Sequence, residues 1–186
     1  ERCGGTAVMV EEEWGRPVDP DHLRRALAEH SDASLVAFVH AETSTGVRSD
    51  AEQLTSIAHE HDCVVIVDAV TSLGGIPLEV DGWNLDAVYS GSQKCLSCVP
   101  GLSPVTFSDR AIERIRGRRH PIQSWFLDTN LVMGYWGEGQ QRAYHHTAPV
   151  NSVYALHEAL LILHEEGIEA AWARHRRHHE ALVAGL

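Results

Sequence analysis

The sequence predicts an α/β domain, a mainly parallel sheet flanked by helices, and three observations carry that expectation. Strand-like and helix-like patterns alternate over 34–40, 50–61 and 63–68, which is the signature of a βαβ unit. Val64-Val65-Ile66-Val67 is a β-branched run with charge before it and Asp68-Ala69-Val70-Thr71-Ser72 after it, the pattern of a strand buried on both faces. Asp86-Ala87-Val88-Tyr89 is a second short strand that gives way to Ser90-Gly91-Ser92-Gln93-Lys94. An acid, Asp68, and an amine, Lys94, therefore each emerge where a strand stops, on the edge at which open α/β sheets bind ligands.

In chain order, Ala7-Val8-Met9-Val10 reads as a short strand running into the acidic Glu11-Glu12-Glu13. Asp19-Pro20-Asp21 opens a helix, with Asp19 as cap, Pro20 at the first helical position and Leu23, Ala26 and Leu27 at helical spacing up to His30. Ser34 to His40 is a buried-strand candidate ending in the polar loop Ala41-Glu42-Thr43-Ser44-Thr45-Gly46. Ser49-Asp50-Ala51-Glu52 has the form of a capping box, and Leu54, Ile57 and Ala58 mark the apolar face of the helix that follows, to about His61. Turns are expected at Gly74-Gly75 and Asp81-Gly82, a further strand at Pro104-Val105-Thr106-Phe107, and a helix capped by Ser108 through Arg116, its arginines solvated. The span Ile122 to Gly139 reads as an aromatic-rich loop. Beyond Pro149, Asn151 opens a helix with Val153, Leu156, Leu160 and Leu163 on one stripe, ended by Gly167, and a last helix carries Trp172 and Arg174-His175-Arg176-Arg177-His178-His179.

A chain of 186 residues, 44% hydrophobic, is one domain's worth. It opens without Met at Glu1-Arg2-Cys3-Gly4 and stops inside a helical pattern at Ala184-Gly185-Leu186, so it reads as an internal piece of a longer protein. The net charge of −11, from 15 basic and 26 acidic side chains, argues against a nucleic-acid partner, because phosphate binding rests on Lys and Arg. Cys3, Cys63, Cys95 and Cys98 make no disulfide framework, and the lone Cys95-Leu96-Ser97-Cys98 reads as reduced thiols. No apolar run reaches transmembrane length and no signal-peptide pattern is present, so a soluble intracellular compartment is expected and no membrane partner. That compartment would be the cytoplasm or, in a eukaryote, the peroxisome or mitochondrion. Thirteen histidines include no HExxH, and His175, His178 and His179 share a helix with arginines that would repel a cation; no metal site is expected.

Lysine forms Schiff bases with carbonyl compounds, which requires the neutral amine. Alone, a lysine after a strand is an ordinary surface cation, and an aspartate there is an ordinary helix cap. Taken together, one βαβ-like step apart, Lys94 and Asp68 fit pyridoxal phosphate, an aldehyde for the lysine at one end and a pyridine nitrogen for the aspartate at the other.

Four runs in order sharpen this: His40-Ala41-Glu42-Thr43-Ser44-Thr45-Gly46-Val47, Val67-Asp68-Ala69-Val70-Thr71-Ser72-Leu73-Gly74-Gly75, Tyr89-Ser90-Gly91-Ser92-Gln93-Lys94 and Tyr144-His145-His146-Thr147. They resemble the class V aminotransferases, most closely the alanine–glyoxylate and serine–pyruvate group. The resemblance implies fold type I, with this chain supplying the central and later part of a seven-stranded large domain, residues 1–186 being one partial domain without its N-terminal segment and C-terminal small domain. It implies pyridoxal 5'-phosphate as cofactor and amino-group transfer from a small amino acid, alanine or serine, to a 2-oxo acid, glyoxylate or pyruvate, in ping-pong fashion. By position, Lys94 matches the Schiff-base lysine that also shuttles the Cα proton, Asp68 the pyridinium partner and Val70 a side chain against the ring. Thr43 matches a hydroxyl near the ring edge and Gln93 a residue reaching the phosphate region. Tyr144 and Thr147 match residues that reach the phosphate of a neighbouring subunit, so a homodimer with shared sites is implied.

Two departures stand out. The family's stacking aromatic, phosphate loop and carboxylate-binding arginine have no counterpart within these residues, and Cys95-Leu96-Ser97-Cys98-Val99 replaces the small, proline-rich residues expected after the lysine. A cysteine desulfurase or lyase on the same scaffold is the alternative; those relatives place histidine before the lysine, where this chain has Gln93, which favours transamination. An inactive fragment is the third reading.

Overall fold

The structure is a computed structural model, described here for residues 4–136 and 144–186. Cys3 and the end of the aromatic segment, Gly139 included, lie outside the described residues.

Helix α1 (Pro20–Glu29) begins where Asp19 accepts a hydrogen bond from the Asp21 amide, with Pro20 in the first turn. Strand β1 (Leu35–Val39) leads to α2 (Ala51–Glu60), then β2 (Val64–Asp68), β3 (Ala87–Tyr89) and β4 (Val105–Phe107). The four strands form one sheet in the order β1-β2-β3-β4; β1, β2 and β3 are parallel and β4 returns antiparallel. The rest is helical: α3 (Asp109–Arg116), α4 (Thr129–Trp136), α5 (Val150–Glu166) and α6 (Ile168–Ala184). The mainly parallel sheet with helices is the predicted class.

The core is the seam between α1, α2 and the sheet. Leu23 and Leu27 of α1 meet Leu54, Ile57 and Ala58 of α2, with Val65 and Val67 of β2 and Val88 of β3 in the same cluster. Leu54, Ile57, Val65 and Val67 are fully buried, each contributing about 1.5–3 kcal/mol by removal from water. That packing, more than helix propensity, holds a ten-residue helix such as α2 together.

Several elements differ from expectation, each for a local reason. Ala7 to Val10 forms no strand: Val8 and Met9 are exposed and no described strand lies beside them to complete a ladder. Strand β1 is half-buried only, with Leu35, Ala37 and Val39 exposed, because it is an edge strand here. Asp50, not Ser49, caps α2 by accepting from the Gln53 amide, while the buried Ser49 hydroxyl accepts from the Val18 amide at 3.4 Å. Within the expected loop, α4 forms because the Asp128 carboxylate accepts from the Asn130 and Leu131 amides. Arg110 and Arg114 of α3 are not simply solvated; both reach Asp62, at 2.8 and 3.2 Å. Helix α5 begins at Val150 with no side-chain cap, and its stripe stays open, Val153 and Leu160 being exposed. Four strands are present among the described residues, against seven for the implied whole domain.

Candidate active site

Parallel strands put their carboxyl ends on one edge, and Val39, Asp68 and Tyr89 occupy it in register: Val39 pairs with Asp68 and Asp68 with Tyr89. The loops leaving these three positions carry Thr43, Asp68 with Val70, and Gln93 with Lys94. Each loop is bonded to the next. Thr71 Oγ1 donates a short hydrogen bond to the Ala41 carbonyl, joining the second loop to the first. Cys95 Sγ lies 3.4 Å from the Thr71 carbonyl, joining the third to the second. Gly75 permits that approach, since a Cβ there would lie 2.6 Å from Cys95 Sγ.

The first loop is a turn from Glu42 to Gly46, closed by the Gly46 amide on the Glu42 carbonyl, with Gly46 at φ +73°. The Glu42 carboxylate accepts from the amide and the hydroxyl of Ser44, which holds it below the usual carboxylate range. Thr43 stands exposed at the tip. Beneath it, His40 is buried edge-on to Trp83; burial first, then the Arg48 charge, lower its pKa to about 4, so it is neutral at pH 7.

Asp68 is half-buried at the end of β2, and both its oxygens are engaged. Oδ1 accepts from the Val70 amide at 2.8 Å and Oδ2 accepts from the Tyr89 hydroxyl at 2.7 Å. A carboxylate has about four lone-pair directions, so room remains for a cationic N–H donor. Val70 is half-buried two residues on.

Lys94 is exposed in a turn that Ser92 closes. The buried Ser92 hydroxyl donates to the Val99 carbonyl at 2.6 Å, its carbonyl accepts from the Cys98 amide, and the Ser97 amide bonds the Lys94 carbonyl with Ser97 at φ +56°. The Gln93 side chain folds back over Gly91, where a Cβ would meet its Oε1 at 2.7 Å.

Tyr144 and Thr147 lie on the segment before α5, their hydroxyls in a short hydrogen bond with each other and both side chains exposed. Between them, buried His145 lies 4.1 Å from the Trp125 ring, centroid to centroid, and Nε2 donates to the Trp125 carbonyl. No described hydrogen bond links this pair to Asp68 or Lys94.

The sequence of the whole chain, residues 1–186, matches the family described as aminotransferase class-V. The chain belongs to the class V aminotransferases. It is 38% identical over 177 residues to the alanine–glyoxylate aminotransferase of Oryctolagus cuniculus, covering 95% of this chain and 45% of that protein. It superposes on the crystal structure of an alanine–glyoxylate aminotransferase from Nostoc sp. with a TM-score of 0.87 and 46% identity, over 92% of this chain and 45% of the other. On the ureidoglycine–glyoxylate aminotransferase of Bacillus subtilis the TM-score is 0.92 at 38% identity, over 99% and 47%. The chain thus spans less than half the length of the relatives it matches. The sheet and its helices are the fold type I arrangement of these class V enzymes.

Within this class V scaffold, Tyr89, Thr71, Ser92 and Cys95 are positions that sequence reasoning passed over. Tyr89 had a usable signal, since the last residues of adjacent parallel strands share an edge; Thr71, Ser92 and Cys95 had none beyond closeness to Asp68 and Lys94. On the opposite edge of the sheet, His59 bonds Asp86 at 2.8 Å. Among the described residues no group of three or more His, Cys, Asp or Glu is arranged for a metal, and no helix is long and apolar enough to cross a membrane.

Proposed function

We propose that the complete protein is a pyridoxal-phosphate-dependent aminotransferase that moves an amino group from alanine or serine to a 2-oxo acid, glyoxylate before pyruvate. The observation that carries the reading is that Asp68 and the Lys94 turn leave the carboxyl ends of the adjacent parallel strands β2 and β3, on loops held together through Thr71, Gly75 and Cys95. Glyoxylate is favoured because it is the acceptor named in the relatives from Oryctolagus cuniculus and Bacillus subtilis.

The donor set suits the cofactor. Asp68 keeps lone pairs for a ring N–H after taking its two donors, Lys94 offers an exposed amine, and Val70 stands two residues from Asp68 to pack on a ring face. Pyridoxal phosphate, when bound, supplies an electron-accepting ring and an aldehyde that carries the amino group between substrates. Asp68 would hold the ring nitrogen protonated, and the Lys94 amine would hold the aldehyde and serve as the base that moves the Cα proton. Thr43 would stand at the ring edge and Gln93 near the phosphate. Tyr144 and Thr147, whose side chains are exposed, would hold the phosphate of a second subunit in a homodimer that has residues 1–186 in its large domain. The free cysteines suit a reducing intracellular compartment.

Borohydride reduction of the complete protein with pyridoxal 5'-phosphate, followed by peptide mapping, tests this. A pyridoxyl group on Lys94 is expected, together with pyruvate formation from L-alanine plus glyoxylate. An unmodified Lys94 rejects the reading.

A further inference from the structure

Tyr89 is the last residue of β3, and in the parallel register its partner is Asp68, the last residue of β2. Residues paired this way project on the same face of the sheet, so the phenol and the carboxylate leave the edge side by side. The Tyr89 hydroxyl closes the gap at 2.7 Å from Asp68 Oδ2. The other oxygen, Oδ1, is already held by the Val70 amide of its own loop at 2.8 Å. One donor on a carboxylate leaves it free to turn about its terminal torsion, which is broad for an aspartate. A second donor on the second oxygen fixes the plane.

We infer that Tyr89 is a positioning residue, which orients the Asp68 carboxylate toward a protonated pyridine nitrogen. The inference rests on the reading of Asp68 as the ring-nitrogen partner. Packing does not account for the phenol: its side chain is 40% exposed, outside the core cluster that holds Val65, Val67 and Val88. The phenol also keeps its proton, because the bond to Asp68, and then burial, push its pKa up to about 12. It therefore remains a donor throughout the pH range in which an intracellular enzyme works.

The test is a double-mutant cycle on the complete protein, read as the dissociation constant of pyridoxamine 5'-phosphate, which carries the ring and phosphate but has no aldehyde to react with Lys94. Equilibrium dialysis on wild type, Tyr89→Phe, Asp68→Asn and the double variant gives the four constants. Hydrogen bonds to charged groups are among the stronger ones, so Tyr89→Phe is expected to weaken binding roughly five- to tenfold in the wild-type background. In the Asp68→Asn background it should weaken binding less than twofold. Equal weakening in both backgrounds would mean that the phenol acts on general packing and would overturn the proposal, as would no weakening in the wild type. If Asp68→Asn alone leaves the constant unchanged, the assignment of Asp68 falls first and the positioning role goes with it.

Discussion

A Cβ placed on Gly75 would stand 2.6 Å from the Sγ of Cys95, closer than any real Cβ approaches a heavy atom. The glycine that follows Asp68 by seven residues and the cysteine next to Lys94 are thus fitted to each other. The acid-bearing loop and the amine-bearing turn pack directly on each other there.

Gly75→Ala is therefore expected to destabilise the complete protein by about 1–3 kcal/mol, the range for overpacking a tight contact. Cys95→Ala should restore most of that loss in the double variant, because with Sγ gone the nearest Cys95 atom is its Cβ at 3.2 Å. Urea unfolding of the two single variants and the double one checks this; losses that simply add would show that the two loops do not meet there.

The Asp86 carboxylate, 2% exposed, accepts from His59 Nε2 at 2.8 Å, the Val65 amide at 2.9 Å and the Ser108 hydroxyl at 2.8 Å. Burial pushes its pKa up, but the three donors outweigh that and leave it below the ordinary 3.8. Their stabilisation is present above pH 3.8 and is lost as pH falls through the lowered folded value. Asp86→Ala takes the acceptor away from the buried Val65 amide and from the partly exposed His59 and Ser108, at a cost of about 1–3 kcal/mol near neutrality. Unfolding followed from pH 7 to pH 3 should show a lower plateau for the variant and a flatter acid limb. An acid limb parallel to that of wild type would contradict this.

His40 loses its contribution in the same direction, over a higher pH window. With its pKa lowered to about 4, the folded protein declines a proton that the unfolded chain takes from about pH 6.5 downward. Stability contributed by the neutral ring is intact above that value and falls as pH drops toward the folded one, by about 2 kcal/mol at pH 5. Comparing urea midpoints at pH 7.5 and pH 5 for wild type and His40→Leu checks it: the loss should shrink in the variant, whatever its absolute stability. An unchanged loss would assign the pH dependence to other groups.

Much of the edge that holds Asp68 and Lys94 was legible in the residues. The run Val64 to Val67 could be read because a strand buried on both faces needs no alternation, and Asp68 followed as its terminus. Asp19 and Ser108 were readable as caps because the bond each makes is to an amide two or three residues away. Where two capping residues stood side by side, Ser49 and Asp50, the choice depended on a partner 31 residues distant, the Val18 amide, and the pattern could not supply it. Ala7 to Val10 misled because four apolar residues state a preference for a strand and say nothing about whether a partner strand lies alongside.

The order of residues alone determined which side chains terminate β2 and follow β3, since those depend on hydrophobic runs and turns only a few residues long. Folding in three dimensions decided what those side chains touch: Tyr89 on Asp68, Thr71 on Ala41, Cys95 against Gly75. Such contacts join positions some 20 to 30 residues apart, and their geometry follows from strand register and loop packing, which no local pattern encodes.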